Sequence, residues 1–452
     1  MVQLPKGWSI DVIHQINEYK ASSINPEKFP DETFELFSVP IFPTGVAEII
    51  EGKSIGSTKQ LVNEGDVLLC KINPRINRVW QVTESRGFRQ IASSEWIVIR
   101  STSIDSDYLT YFFREQKFRN LLCSDVSGVG GSLTRAKPKL VAEYNVTLAP
   151  FAEQTHIVEK LDEVLAQVDT IKARLDGIPN ILKRFRQSVL ASAVSGRLTE
   201  QWREGQEWIF KEGALGSFTD VDIGHAFKSK DFTEEGVALL RGQNIEPGSL
   251  RWIETKYIPV EKLEKHNHLF IETNDIILAM DRPIISSGLK LAKAKENDLP
   301  CVLVQRVTRF RPSVDVVNDY LYLLLSDMSF SNYLAPNQTG SDIPHISGKQ
   351  ILAYPINLPV IEEQTEIVRL VDQYFAFADS IEAQVDKARA RVDKLTQSIL
   401  AKAFRGELVP QDPNDEPADK LLEQIQVARQ EAEALAKATK KADSAKKRTA
   451  KA

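Results

Sequence analysis

The stretch "EQTHIV" occupies Glu153–Val158, and "EQTEIV" occupies Glu363–Val368. The two lie 210 residues apart (363 − 153). Sliding the chain against itself by that interval aligns Leu148–Leu198 with Leu358–Leu408 without a gap. Roughly 19 of about 51 positions are identical, far above chance for two arbitrary segments. The copies open "LAPFAEQTHIVEKLDEVL" and "LPVIEEQTEIVRLVDQYF", and close "RQSVLASAVSGRL" and "TQSILAKAFRGEL".

Within the first copy, Ile157, Leu161, Val164, Val168, Ile171, Leu175, Ile178, Leu182, Phe185 and Val189 step by four and three alternately. The equivalent positions Ile367, Val371, Tyr374, Ala378, Ile381, Val385, Ala388, Val392, Leu395 and Ile399 are apolar too. A period of 3.5 held over several heptads is the signature of a coiled-coil seam. Each helix is expected to run about 60 Å, with Gly196 and Gly406 as stops. Two matched helices in one chain can close on each other as an antiparallel pair at small loop-closure cost. Packing in an ordinary core, or self-dimerisation, is the alternative. Pro179, near Gly177, falls inside the first run and predicts a kink or short break. The second copy reads "KARARVDKL" there and is expected to run straight.

Residues 1–147 and 208–357 precede the two helices, and each spans roughly 150 residues, a common domain size. Stretches such as "EWIVIR" and "LVQRVTRF" read as strands. The two segments echo one another. "NEGDVLLCKINPR" at Asn63 resembles "ETNDIILAMDRP" at Glu272, and "DSDYLTYFF" at Asp105 resembles "VNDYLYLLL" at Val317. "GGSLTRAKPKLVAEYNVTL" at Gly130 resembles "TGSDIPHISGKQILAYPINL" at Thr339. The middles differ widely, as expected if two similar frames present different surfaces.

Basic and amide side chains follow each turn-to-strand motif. In the first domain these are Lys71, Asn73, Arg75, Asn77 and Arg78, with Arg135 further on; in the second they are Arg282 and Lys290, and this domain also has Arg241, Gln243 and Asn244 in "LLRGQNI". Arg and Lys donate to guanine edges, and Asn and Gln pair with adenine. These residues are the candidate base readers. Taken alone, each reads first as an ordinary surface residue, and "RGQNI" equally as a turn that caps a strand.

The bulk numbers set limits. A chain of 452 residues, 42% hydrophobic and 26% charged, suits two or three globular domains. No apolar run approaches the roughly 20 residues of a membrane helix, and "MVQLPKGWSI" lacks a signal-peptide pattern. A cytoplasmic protein without a membrane partner is expected. Cys70, Cys123 and Cys301 are scattered, so neither a disulfide framework nor a metal site is indicated. The net charge of -5 does not advertise a nucleic-acid binder, but local patches set phosphate attraction.

Catalytic motifs are missing. "INPRI" at Ile72 lacks the second proline and the aromatic of an amino-methylating loop, and no phosphate-binding glycine loop occurs. "FPDETFELF" at Phe29 has Phe37 where a nuclease would need lysine, and "SGVGGS" at Ser127 reads as a flexible turn. The chain is expected to catalyse nothing by itself.

Domain, helix, domain and helix in this order, with "LAPFAEQT" and "LPVIEEQT" openings and matched closings, resemble the specificity subunit of a type I restriction-modification enzyme. "ARLDGIPNILKRFRQSVLASAVSGRLTEQW" and "LVPQDPNDEPADKLLEQI" carry the likeness further. The resemblance implies an α+β fold. Two α/β target-recognition domains, 1–147 and 208–357, would alternate with helical regions 148–198 and 358–408. Those helices would form an intramolecular antiparallel coiled coil in a pseudo-two-fold repeat. Each domain would read half of a split, asymmetric site in double-stranded DNA, with the coiled coil as spacer. Two methyltransferase subunits would dock on the chain, and two restriction–translocase subunits would join. S-adenosylmethionine, ATP and Mg would serve the complex, none bound by this chain.

On this reading Glu153, Gln154, Thr155, Glu363, Gln364 and Thr365 seat the joint between domain and helix, or contact the partner. The dipole of a helix N-terminus also favours a glutamate there, but does not account for the repeated Gln-Thr. The tail 411–452 is expected to hold a helix fading into a basic, solvated end, with Leu421, Leu422 and Ile425 packing on the rest of the protein or on a methyltransferase. Weak charge implies that the isolated chain binds DNA poorly. The competing readings are a coiled-coil scaffold without DNA readout and a single-chain DNA-modifying enzyme.

Overall fold

The computed structural model describes residues 4–124, 126–127, 134–337, 344–431 and 434. Most of "SGVGGS" and the basic end of the tail lie outside these residues. The fold is α+β, with two long helices, Phe151–Val194 and Ile361–Ala403. The chain divides into two compact units, the first from Met1–Leu175 and Ala388–Ala452, the second Asp176–Lys387. Each unit therefore holds one mixed domain and part of both long helices.

In the first unit, three antiparallel strands lie in the order Val79–Gln81, Val67–Cys70, Trp96–Ile99. The central "VLLC" is buried throughout, so it reads as an apolar run without alternation. A five-stranded sheet has Thr33–Phe37 between Arg89–Ala92 and Glu48–Glu51. Ser9–Val12 pairs antiparallel with Asn145–Leu148, just before the first long helix begins. Ile157, Leu161 and Val168 of the first helix, Ile399 and Ala403 of the second, and Phe404 just after it join Val67, Tyr108 and Phe112 in one apolar core.

The second unit is built alike. Four strands run in the order Thr219–Ile223, Val307–Pro312, Ile276–Ala279, Leu291–Lys293. Phe210–Ala214 pairs antiparallel with Pro355–Pro359, just before the second long helix. Val189 and Ala193 of the first helix and Ile367 and Val371 of the second share a core with Leu278, Tyr320 and Ile356.

The echoed turns before the central strands have a physical cause. In "NEGD" the Asn63 N–H donates to Asp66 Oδ2 at 2.8 Å; in "ETND" the Glu272 N–H donates to Asp275 Oδ2, also at 2.8 Å. The residues before the aspartates, Gly65 and Asn274, take φ of 81° and 71°, which glycine and asparagine tolerate. Each aspartate then accepts from an arginine. Arg100 reaches Asp66 with two bonds of 2.6 Å, and the fully buried Arg309 reaches Asp275 at 2.8 Å and Asp222 at 2.7 Å.

The long helices touch within each unit. Lys172 pairs with Asp393 at 3.0 Å in the first; Arg186 pairs with Asp379 at 2.6 Å and Glu382 at 3.0 Å in the second. Most heptad positions are buried or half-buried, but Ile171, Tyr374 and Leu395 are 43%, 41% and 46% exposed. A seam is a narrow stripe, and a 3.5-residue repeat drifts about 20° per heptad on a straight helix, so residues at its margin open to solvent.

The break expected at Pro179 does not occur, because the first helix is continuous through it. Proline cannot donate to the carbonyl four residues back, that of Leu175. Arg389 Nη2 donates to this carbonyl at 3.3 Å instead. Gly196 and Gly406 follow the helices at φ of 72° and 71°. A Cβ would strike the Trp208 ring at the first and Pro5 at the second. The tail is helical over 418–431, and Ala418, Leu421 and Ile425 are buried in the first unit's core. Ala418 N–H donates to Gly7 O at 2.8 Å, so this helix packs on its own chain.

If Arg389 replaces the lost helical bond, its removal depends on Pro179. Arg389→Ala should cost about 1 kcal/mol in the native chain and clearly less in a Pro179→Ala background, where an N–H is restored. A double-mutant cycle by denaturant unfolding checks this; additive effects would refute the substitution.

Candidate nucleic-acid interface

In the first unit the chain leaves strand Val67–Cys70 at Lys71 and turns through "KINPRINR" before Val79–Gln81. Backbone bonds hold this turn. Lys71 N–H donates to Glu95 O at 3.0 Å, Asn73 N–H to Thr134 O at 2.9 Å, and Ala136 N–H to Lys71 O at 2.9 Å. Asn73 and Asn77 both adopt positive φ, 46° and 49°. Asn77 Nδ2 donates to Arg114 O at 3.0 Å and Arg78 Nη1 to Ile72 O at 3.2 Å, so both side chains shape the turn. Asn73 Oδ1 is buried without a donor. Arg75 is exposed, and its carbonyl accepts from Arg119. Arg135 is exposed and pairs with Glu95 at 3.2 Å; Lys71 is half-buried. The six candidates of this domain thus gather at one end of one three-stranded sheet.

The second unit repeats the device. The chain leaves strand Ile276–Ala279 at Met280 and turns through "MDRPIISSGLK" before Leu291–Lys293. Met280 N–H donates to Arg306 O at 2.8 Å, Arg282 N–H to Pro344 O at 2.7 Å, and Ile346 N–H to Met280 O at 2.9 Å. Arg282 is exposed at φ 44°. Lys290 is half-buried; burial lowers its amine, against the pull of Glu246 and Asp281. Asn244 is a correction. It is fully buried, its Oδ1 accepting the Arg241 N–H at 3.2 Å and its Nδ2 donating to Arg251 O at 3.0 Å. It caps a turn and cannot face a base. Arg241 Nη2 donates to Glu254 O at 2.6 Å, while Gln243 is exposed.

The repeated Glu-Gln-Thr forms the joint between domain and helix. Gln154 Oε1 accepts the Asp105 N–H at 3.1 Å, and its Nε2 donates to Ala149 O at 2.8 Å. Gln364 Oε1 accepts the Val317 N–H at 2.8 Å, and its Nε2 donates to Pro359 O at 2.8 Å. Glu153, Gln154, Glu363 and Gln364 are at most 2% exposed, so contact with a partner does not suit these four. Thr155 and Thr365 are exposed, beside the exposed Phe151 and Ile361.

A family model described as "Type I restriction modification DNA specificity domain" matches residues 209–388. The EcoKI specificity subunit of Escherichia coli strain K12 is 36% identical over 341 residues, covering 72% of this chain and 72% of that relative. This chain belongs to the type I restriction-modification specificity subunits. The HsdS subunit from Thermoanaerobacter tengcongensis shares its fold, with a TM-score of 0.58 and 19% identity, covering 90% of this chain and 98% of that chain. So does a structure concerned with complex assembly and conformational transition of the type I R-M system, with a TM-score of 0.69 and 19% identity, covering 90% and 99%. As a specificity subunit the chain supplies DNA sequence specificity and is not a catalytic member of its system.

In this specificity subunit several positioning residues carry no sequence signal. Glu95 and Arg306 hold their turns through backbone carbonyls, as Thr134 and Pro344 do from more distant segments. Any residue type can supply a carbonyl. Three histidines also meet in the second unit, the His225 and His266 ring centroids 4.3 Å apart and His268 beside His266. Their separation in sequence hides the cluster. Among the described residues, no group of three or more His, Cys, Asp or Glu is placed to hold a metal ion, and no helix is long and apolar enough to cross a membrane.

The two joint glutamates differ. Trp8 Nε1 donates to Glu153 Oε2 at 2.9 Å, but burial pushes the Glu153 carboxyl up despite that bond. A pKa raised by folding stabilises the fold at low pH, and the contribution fades as pH rises through the folded value. Glu363 accepts instead from Thr199 Oγ1 at 2.6 Å and Arg203 Nη1 at 2.5 Å. Glu153→Gln keeps an acceptor for Trp8 and removes a buried charge. Its Tm relative to the native chain should therefore rise between about pH 5 and about pH 8. Glu363→Gln leaves the Arg203 guanidinium without its ion pair and should cost about 3 kcal/mol. Melting both variants at the two pH values tests the contrast; equal behaviour would refute it.

Proposed function

We propose that each domain reads one half of a split site in double-stranded DNA, residues 1–147 one half and 208–357 the other. The long helices, paired as an intramolecular antiparallel coiled coil with pseudo-two-fold symmetry, set the spacer. The observation that carries this reading is the turn after each central strand. It is held by equivalent backbone bonds in both domains yet carries different residues, Asn73 in one and Arg282 in the other. A shared frame with different readers suits an asymmetric site.

The partners are two methyltransferase subunits and two restriction–translocase subunits. S-adenosylmethionine, ATP and Mg belong to them and not to this chain, and the complex works in the cytoplasm. Two equal methyltransferases need two equal docking surfaces. Phe151 with Thr155, and Ile361 with Thr365, supply an exposed patch at the start of each long helix, where the buried glutamine fixes its position. Phosphate contacts give affinity and base contacts give specificity, so a chain of net charge -5 can leave much of the affinity to its partners.

The test is a methylome. The chain is expressed with its methyltransferase subunit in a host lacking adenine methylation, and N6-methyladenine is mapped. A single motif of two defined halves around an undefined spacer is expected. Exchanging residues 208–357 should change one half only. A continuous motif would overturn the two-reader arrangement.

Docking is tested separately. Phe151→Asp should reduce the methyltransferase copies retained per chain from about two to about one in native mass spectrometry, since an exposed apolar anchor becomes charged. Full retention would remove Phe151 from the interface. The isolated chain should shift DNA weakly in a gel, and the complex strongly.

A further inference from the structure

Arg282 takes φ of 44°, a left-handed conformation that arginine adopts at a cost and that glycine or asparagine adopts readily. The first domain has Asn73 at the equivalent place, at φ 46°. The equivalence is geometric. Each residue donates its N–H to the carbonyl of the returning segment, Thr134 O at 2.9 Å or Pro344 O at 2.7 Å, and each is followed by a buried proline, Pro74 or Pro283. The backbone therefore has an easier residue available, and the arginine side chain must serve another purpose.

That side chain is uncommitted. Residues 208–357 contain six arginines. Five are engaged: Arg241 with Glu254 O, Arg251 with Glu246, Arg306 with Asp281, Arg309 with Asp222 and Asp275, and Arg311 with Asp222. Arg282 alone is exposed with a side chain that makes no hydrogen bond or ion pair among the described residues. Its backbone is meanwhile fixed on both sides, because Lys290 N–H also donates to Pro283 O at 2.7 Å. A rigid backbone presenting a free, planar guanidinium suits bidentate recognition, and in the DNA major groove its partner is the O6 and N7 edge of guanine.

Resting on the reading of the second domain as a half-site reader, we propose that Arg282 is its specificity residue for one guanine. The native complex should methylate a motif in which the half that changes on exchange of residues 208–357 contains a G·C pair. Two variants test the contact. Arg282→Asn installs the residue type found at the equivalent position, and Arg282→Gly relieves the left-handed strain, so neither should melt below the native complex. In both, methylation of sites carrying another base pair at that position should rise about tenfold to hundredfold relative to the cognate site, with the other half-site unchanged. Three results would overturn the assignment: a second half without a G·C pair, an unchanged motif in both variants, or a uniform fall at all sites, which is what losing a phosphate contact does. A native complex that methylates a continuous motif would overturn the two-reader reading itself, and the role of Arg282 with it.

Discussion

Gln154 and Gln364 are wholly buried, and both ends of each amide are bonded. The oxygen receives the N–H of Asp105 or Val317, at the start of a short helix in the domain. The nitrogen donates to Ala149 or Pro359, at the end of the strand that enters the long helix. Leaving either end unpaired in the interior would cost about 1–3 kcal/mol. The amide accepts at one end and donates at the other, whereas a carboxylate could not donate and an amine could not accept. This joint sets how each domain meets its helices, and the placement of the turns and of the exposed residues at the helix starts within each unit depends on it.

Around that joint the two units reach similar frames with different chemistry. Both start the central strand with an aspartate turn and pair that aspartate with arginine. Yet Arg100 lies near the surface, while Arg309 is fully buried between Asp222 and Asp275. The two Nη atoms of this buried guanidinium meet two carboxylates and two carbonyls while its Nε has no partner, and much is lost if any one acceptor is removed. The joint varies too, with an indole facing Glu153 and an arginine facing Glu363. Repetition has kept the backbone geometry and let the polar partners diverge.

Much of the architecture was legible because it rests on local periodicity. The heptads mark the long helices, and the repeated Glu-Gln-Thr marks where they begin. The aspartate turns mark the central strands, and the basic residues after them do gather at sheet ends. Other readings depended on contacts that sequence does not display. Asn244 has a base reader's residue type but is engaged by Arg241 and Arg251. Pro179 is a helix breaker by type, yet the helix runs on through it, and Arg389, far along the chain, reaches the orphaned Leu175 carbonyl. Ile171, Tyr374 and Leu395 fit the heptad but stand open.

The sequence by itself determined where the helices run, that the chain is a repeat, and which family it resembles, because apolar period and repeated motifs are properties of neighbouring residues. Only the tertiary structure decided which polar side chains hold the fold and which stay exposed. Glu153 and Gln154 turned inward, Thr155 outward, and of six arginines in the second domain Arg282 alone kept its guanidinium free among the described residues. That sorting is set by carbonyls and carboxylates brought in from distant segments, and residue type does not say where those will be.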